Sequence, residues 1–337
     1  MPLIMKEKGD AMLFINHNNT NPYFNHAAEQ YVLENLPDEC FMLWRNDPCI
    51  LIGKNQNAFS EINIDYVKEK NIKVVRRLTG GGAVFNDLGN INFTFISKNT
   101  GDVATNFRKF TAPLLKALNN LGVNAEFSGR NDLVIDGKKF SGNAQYYHKD
   151  KVLHHGTLLF SSSMTDLSSA LKVNPLKIKD KGVKSIVSRV TNISDHLPNP
   201  MSVLEFKDYV IKFVMDIYSE KNTYEFNEHE LKVIDEIVRT RFSTWNWNFG
   251  NSPKYTYSKE MRFPGGTIEL SFNVKNGLIE NLKFYGDFFF TKDIKELEDK
   301  FLGLRHEEAS ITEFLERFPI DEYIKGITSK DILYLMF

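Results

Sequence analysis

Apolar residues along this chain recur at two spacings, and the spacing changes from one segment to the next. Ala27, Ala28, Tyr31, Val32 and Leu36 stand at helical spacing over 27–36, where side chains three and four apart share a face. Short apolar runs at 41–44 and 49–52 surround Asp47-Pro48, a turn pair, so they read as strands. Residues 64–70 read as a short helix and 72–76 as a β-branched strand that runs into Gly80-Gly81-Gly82. Ile91, Phe93 and Phe95 alternate with Asn92, Thr94 and Ile96, as in a strand partly buried on both faces.

A long amphipathic helix is expected over 103–120, with Phe107, Phe110, Leu114, Leu115 and Leu118 on one side and Gly122 as its stop. Strands follow at 133–135, 138–140, 144–148 and 152–160. Asp136-Gly137 joins the first two as a two-residue hairpin turn, and Lys149-Asp150 turns the last pair. Ser202 and Glu205 form a capping box that opens a helix through Phe206, Val210, Phe213, Val214 and Ile217. A further helix is expected over 228–241. Residues 245–257 then turn aromatic and Asn-rich, with Gly250 and Pro253, and mark a domain boundary. The expected division is a first domain at 1–246, a linker at 247–255 and a second domain at 256–337. In the second, 267–274 and 278–284 flank Asn276-Gly277 as a hairpin. Two or three helices finish the chain, one capped by Ser310 with Glu313.

The length of 337 residues fits two domains. An apolar share of 42% and a charged share of 25% are those of a globular chain. Basic and acidic residues number 42 and 43, which argues against a generally basic nucleic-acid binder or a polybasic membrane protein. The segment Met1 to Asp10 has no long apolar stretch, and no run reaches the roughly 18 apolar residues of a membrane span. A cytoplasmic protein is the expectation. Cys40 and Cys49 are too few for a disulfide scaffold and sit on apolar runs, so they read as buried and structural. Charge is nonetheless uneven: residues 130–190 carry 11 basic and 5 acidic side chains, and residues 270–337 carry 9 and 13.

Chemistry concentrates in two places. In Arg76-Arg77-Leu-Thr-Gly80-Gly81-Gly82-Ala83-Val84-Phe85, glycines let a ligand approach backbone N–H groups closely, and successive amides can form an anion nest. Two arginines beside them can donate to phosphate. The same text also fits a tight hairpin with two surface arginines. It contains neither a P-loop nor a complete dinucleotide fingerprint. The second place is Gly129-Arg-Asn131-Asp132 with Lys138-Lys139-Phe-Ser141-Gly-Asn143-Ala144. On a strand, Lys139 and Ser141 share one face and Lys138 points away. Lys139 can bridge a carboxylate and a phosphate as a point charge, or belong to an exposed basic hairpin. Asp132 can hold a divalent cation with phosphate oxygens, or pair with Arg130, or cap a turn. His154 and His155 face opposite ways on a strand, which disfavours zinc; one lines a pocket or both are structural. The basic stretch 172–189 reads as a lid over a polyanion, a docking face, or a solvated loop.

Together these segments resemble the long, two-domain bacterial lipoate–protein ligases, in the family's order and spacing. The matching text also includes Asp87-Leu-Gly-Asn90, His155-Gly-Thr157, Lys184 to Asn192, Trp245 to Gly250 and Arg262 to Gly266. The resemblance implies an α+β (α/β) fold: a biotin/lipoate ligase-like catalytic domain with mixed β-sheets flanked by helices, and a small α+β accessory domain. It implies that ATP and lipoate give lipoyl-AMP and pyrophosphate, with Mg2+ as the metal. The lipoyl group then passes to a lysine of apo lipoyl domains, in 2-oxoacid dehydrogenase acyltransferase subunits or the glycine-cleavage H protein. By resemblance, Arg77, Gly80, Gly81, Gly82, Ala83, Val84 and Phe85 bind the nucleotide with Asn131 and Asp132, the latter near the metal. Lys139 contacts both lipoyl carbonyl and adenylate phosphate, and His155 and Val84 line the lipoate slot. Asn86 stands where the family often has His, and Asn143 where a small Ser is also common, which bears on tail selectivity. The alternative is an octanoyl or lipoyl acyltransferase working through a cysteine thioester, but neither cysteine lies near the glycine loop or Lys139 in sequence. A homologue that binds without catalysing is argued against by Arg77, the glycines and Lys139.

Overall fold

The computed structural model describes residues 12–36, 39–56, 58–99, 103–129, 131–171, 189–220, 223–249, 257–275 and 277–337. The strands are β1 (Leu13–Asn16), β2 (Cys40–Trp44), β3 (Cys49–Ile52), β4 (Lys73–Arg76), β5 (Val84–Asn86), β6 (Asn90–Lys98) and β7 (Ala125–Ser128). They continue with β8 (Asp132–Ile135), β9 (Lys138–His148), β10 (Lys151–Leu159), β11 (Thr223–Tyr224), β12 (Tyr257–Phe263), β13 (Gly266–Lys275) and β14 (Leu278–Gly286). A mixed eight-stranded sheet runs in the order β11-β1-β2-β6-β10-β9-β8-β7, and a small sheet in the order β4-β3-β5. The antiparallel sheet β12-β13-β14 belongs to the C-terminal part.

Period-two patterning explains why both faces of the large sheet are covered. On β2, Phe41 and Leu43 join Phe93, Phe95, Phe110 and Phe206 under helices Val103–Asn120 and Val203–Tyr218. Cys40, Met42 and Trp44, which point the other way, pack with Ala27, Ala28 and Val32 of helix Pro22–Asn35. That helix starts where Asn21 accepts from the Tyr23 amide and Pro22 sits in the first turn, whose N–H groups need no helical partner. A separate apolar cluster joins Ile268, Phe272, Phe284, Phe301, Ile324 and Leu335 of the C-terminal part.

Several local expectations appear as structure. The 103–120 helix spans Val103–Asn120, the Ser202–Glu205 capping box forms, and Asp136 and Gly137 take φ of 50° and 73°. Others are corrected. β9 is one strand of 11 residues, not two, because β8 pairs with it through Ser141 and Gly142 and β10 takes over from Asn143 onwards. Ser310 is inside helix Glu308–Arg317; Glu307 holds the cap position, since the Ile311 amide already bonds its carbonyl. The expected 228–241 helix changes to a π-helical turn at Val238–Phe242. Asn276, Arg130, residues 250–256 and most of the basic 172–189 stretch lie outside the described residues.

Candidate active site

The glycine segment connects β4 to β5, and its arginines are not on the surface. Arg76 and Arg77 are 9% and 6% exposed, so the hairpin with two surface arginines does not describe them. Burial lowers both guanidinium pKa values to about 10, which leaves both charged at neutral pH. Arg76 donates to the carbonyls of Gly53, Lys54 and Gln56 and to those of Trp247 and Asn248. It ties the segment after β3 to the expected domain boundary and has no side-chain place in the cavity described below. Arg77 donates to Leu51 O at 3.1 Å, Gly80 O at 2.8 Å, Gly82 O at 2.7 Å and Thr79 Oγ1 at 3.0 Å. The arginine therefore folds the glycine loop around itself. Gly53 lets the loop close, because a Cβ there would stand 2.0 Å from Gly81 O.

The C-terminal part meets this loop directly. The Gly81 amide donates to Phe288 O at 3.4 Å, and a Cβ on Gly80 would lie 2.4 Å from the same carbonyl. The Gly286 amide donates to Asn55 O at 2.8 Å, and Lys54 lies 3.8 Å from Asp293.

A cavity of about 150 Å³ opens beneath the loop. Its walls carry Arg77, Gly81, Gly82, Ala83 and Val84 from the loop, with Asn131 and Lys139 from the β8–β9 hairpin and its approach. His155, Gly156 and Thr157 of β10, Asn143 and Ala144 of β9, and apolar Trp44, Leu51 and Phe289 complete it, with His26 and Asn92. Of the residues expected at the site, Gly80, Phe85 and Asp132 do not line it. Gly80 is pressed against Phe288, and Phe85 packs with Ile50 and Ile52. Ser141 does not line it either, since a register shift opposite Leu133 and Val134 offsets the alternation after Lys139. Asn86 is buried away from it, accepting from Asn46 and Asn90.

Lys139 Nζ is 2.7 Å from Asp132 Oδ1, with both side chains rather more than a third exposed. Asn131 and Asn143 lock the hairpin reciprocally: each side-chain amide donates to the other's backbone carbonyl, at 2.8 and 2.9 Å. Lys138 is exposed, as the strand alternation requires.

The two histidines do face opposite ways. His154 sits among Phe93, Phe107 and Phe110. Gln145 Nε2 meets its Nδ1 at 3.0 Å and its Nε2 meets Asn143 Oδ1 at 3.2 Å, so the neutral ring orients a cavity-lining amide. Burial holds its pKa well below the ordinary value. His155 faces the cavity. Its Nδ1 is 2.8 Å from Glu29 Oε1 and its Nε2 is 2.8 Å from Thr79 Oγ1. Glu29 is fully buried and also accepts from Thr94 at 2.7 Å, while His26 Nδ1 lies 3.4 Å from its other oxygen. Burial pushes the Glu29 carboxyl up, but His155 and His26 outweigh it and hold it below the usual carboxylate range. Sequence reasoning missed Glu29, His26 and Thr79. One signal was present: Glu29 is three and four residues before Val32 and Leu33, on the apolar stripe of its helix.

Both cysteines are buried outside the cavity, and burial pushes the Cys49 thiol up, opposite to what a thioester nucleophile needs.

The profile of the Lipoyl protein ligase A/B catalytic domain matches residues 21–214, and that of the Bacterial lipoate protein ligase C-terminus matches residues 252–336. The chain belongs to the lipoate–protein ligase family. Among lipoate ligases it is similar to Lipoate-protein ligase LplJ of Bacillus subtilis, 45% identical over 97% of this chain and 100% of that one. Lipoate–protein ligase 1 of Staphylococcus aureus is 42% identical over 96% of this chain and all of its own length. Of solved structures, P. falciparum LipL1 in complex with lipoate has a TM-score of 0.79 at 28% identity, covering 96% and 97% of the two chains. A lipoate-protein ligase A bound with ATP has a TM-score of 0.61 at 25% identity, covering 71% of this chain and 98% of that one. The bipartite lipoate protein ligase of the Thermoplasma acidophilum lipoylation system, described with its E2 lipoyl domain, gives 0.63 at 28%, covering 73% and 98%. The lipoate-ligase fold expected from sequence, mixed sheets flanked by helices plus a small C-terminal α+β part, is the fold observed.

Proposed function

We infer that this lipoate ligase uses ATP to convert lipoate into lipoyl-AMP and then transfers the lipoyl group to a lysine of an apo lipoyl domain. The observation that carries the reading is that one cavity is walled by Lys139, the loop glycines Gly81 and Gly82 and Arg77 as well as by apolar Trp44, Leu51 and Val84. A site of that composition takes an apolar tail and a polyanion together. In the first step a lipoate carboxylate oxygen bonds the α-phosphorus of ATP, and the bond from that phosphorus to the pyrophosphate oxygen breaks. Negative charge gathers where Lys139 and the Gly81–Ala83 segment line the cavity, and a fixed cation there lowers the barrier. Releasing Lys139 from Asp132 to meet substrate costs little, because a half-exposed ion pair is worth about 0–1 kcal/mol. In the second step the acceptor amine bonds the acyl carbon, the acyl–phosphate C–O bond breaks, and AMP leaves with the electron pair. His155 is no evident base for the amine, since both ring nitrogens already have partners. Positioning against an activated carbonyl supplies the rate instead.

Magnesium fits as an ion held chiefly by phosphates, for which one or two protein carboxylates suffice. Asp132 is the carboxylate beside Lys139, and the described residues hold no cluster of three metal-ligating side chains. When bound, the ion would neutralise phosphate charge.

The acceptor class rests on the archaeal ligase described with an E2 lipoyl domain. Acyltransferase subunits of 2-oxoacid dehydrogenases and the glycine-cleavage H protein are the candidates, and the cytoplasm is the proposed setting. Among the described residues no helix is long and apolar enough to cross a membrane. We keep the division into a catalytic domain at 1–246 and an accessory domain at 256–337, which the separate C-terminal apolar cluster supports. The deciding experiment is the mass of an apo lipoyl domain incubated with enzyme, lipoate, magnesium and ATP. A lipoyl increment that depends on ATP is expected, and transfer that proceeds equally without ATP refutes the ligase reading in favour of an acyltransferase.

A further inference from the structure

Glu29 is an unusual side chain for its place. It is fully buried on a helix packed against the sheet and does not line the cavity. A buried carboxylate is costly, and an apolar residue of similar size is often no less stable in such a position. Its hydrogen bonds lead towards the site. Trp44 Nε1 donates to Thr94 Oγ1 at 3.1 Å, and the Thr94 hydroxyl donates to Glu29 Oε1. That oxygen accepts only donors, so His155 Nδ1 carries the proton in the 2.8 Å contact between them. In the neutral ring the Nε2 lone pair then accepts the Thr79 hydroxyl at 2.8 Å. Thr79 Oγ1 in turn accepts from Arg77 Nε at 3.0 Å, and Arg77 grips the carbonyls of Gly80 and Gly82. With the ring neutral, the donor roles run one way along this chain, from Arg77 through Thr79 and His155 to the carboxylate.

We propose that Glu29 is a positioning residue of the ligation reaction: through His155 and Thr79 it fixes the glycine loop against the acyl cavity. The inference rests on the ligase reading and deepens it. Without the anchor, the Thr79 hydroxyl loses its oriented acceptor, Arg77 loses one of its loop contacts, and the glycine loop that walls the cavity drifts. Errors of about 1 Å in such groups cost rate even when nothing touching substrate is removed.

The test uses the full chain with two severing and two conservative variants. Thr79→Val and Glu29→Leu cut the chain at its two ends. Thr79→Ser keeps the hydroxyl, and Glu29→Gln keeps an oxygen able to accept from both Thr94 and His155. We expect Thr79→Val and Glu29→Leu to lower kcat/KM for ATP in pyrophosphate release by on the order of tenfold to a hundredfold. The KM for lipoate should move far less, both conservative variants should stay near wild type, and the double severing variant should be no worse than the worse single one. Hydrogen exchange should quicken at the amides of 80–82 in Glu29→Leu, although residue 29 touches none of them. Thr79→Val, placed on a loop, gives the answer if Glu29→Leu does not fold. Losses that multiply in the double variant, or a Thr79→Val enzyme with wild-type ATP dependence, overturn the proposal. So does unchanged exchange at 80–82 in a folded Glu29→Leu protein. Exchange is read without turnover, so a wild-type protein that released no pyrophosphate would refute the ligase reading separately.

Discussion

Arg77→Lys separates two roles that the sequence leaves merged. If Arg77 only brought positive charge to a phosphate, lysine would retain most of its value. The structure gives it four acceptors at 2.7–3.1 Å, on Leu51, Thr79, Gly80 and Gly82. A guanidinium fork reaches them at once, whereas a lysine ammonium is a single point on a flexible stem. Geometry allows that ammonium about half of them, leaving about two buried acceptors without donors. Each orphaned acceptor costs about 1–3 kcal/mol, so the ligand-free protein should lose about 2–6 kcal/mol. For a domain of this size that is about 4–24 °C in Tm. Thermal unfolding of the ligand-free variant, followed by circular dichroism, measures it, and amide exchange at 80–82 shows whether the loop is where the loss falls. An Arg77→Lys protein that melts within about 2 °C of wild type with unchanged loop exchange would refute the loop-holding role.

Lys139→Ala should behave the opposite way. Its ion pair with Asp132 is half-exposed, so stability should change by no more than about 1 kcal/mol, while pyrophosphate release and transfer should fall on the order of 10²–10³-fold; near wild-type rates would remove Lys139 from the mechanism. Replacing Cys40 and Cys49 together by Ala should leave transfer per folded molecule intact, because both lie buried outside the cavity, and loss of transfer with folding intact would revive the thioester route. Stability should fall as pH drops from about 6.5 to 5. Burial and then Lys207 lower the His17 pKa to about 4, and burial holds that of His154 well below the ordinary value, so the unfolded chain takes up protons there that the folded chain refuses. At pH 5 the His17 share is about 2 kcal/mol. A denaturant titration at pH 7 and 5 should show that loss shrinking in His17→Gln, and an equal pH slope in that variant would count against it.

Much of the local architecture was legible in the chain. The Val103–Asn120 helix, the Ser202–Glu205 capping box and the Asp136-Gly137 turn each follow from contacts within one or two turns of backbone. Some short strands were legible, as at β2, β3, β4 and β8, but others were not. β1, β5 and β7 have three or four residues, too few to establish an alternation, and they are strands because a neighbour supplies the ladder. The expected gap between strands at 138–140 and 144–148 is closed because β8 pairs through Ser141 and Gly142 and β10 continues from Asn143.

The site divides along the same line. The sequence alone placed Lys139 on a strand beside a turn, set three glycines between two strands, and turned His154 and His155 to opposite sides, because side-chain direction on a strand depends on parity. Only the tertiary structure decided what those groups bond to. Arg76 and Arg77 looked like donors waiting for phosphate and instead hold backbone carbonyls of three other segments. Glu29, some 126 residues before His155, meets it because helix and sheet pack face to face. Phe288 and Phe289 reach the glycine loop from the far end of the chain. Propensity and parity act over a few residues and can be read from spacing. A donor's choice of acceptor depends on which groups arrive within about 3 Å in a buried space, and packing sets that.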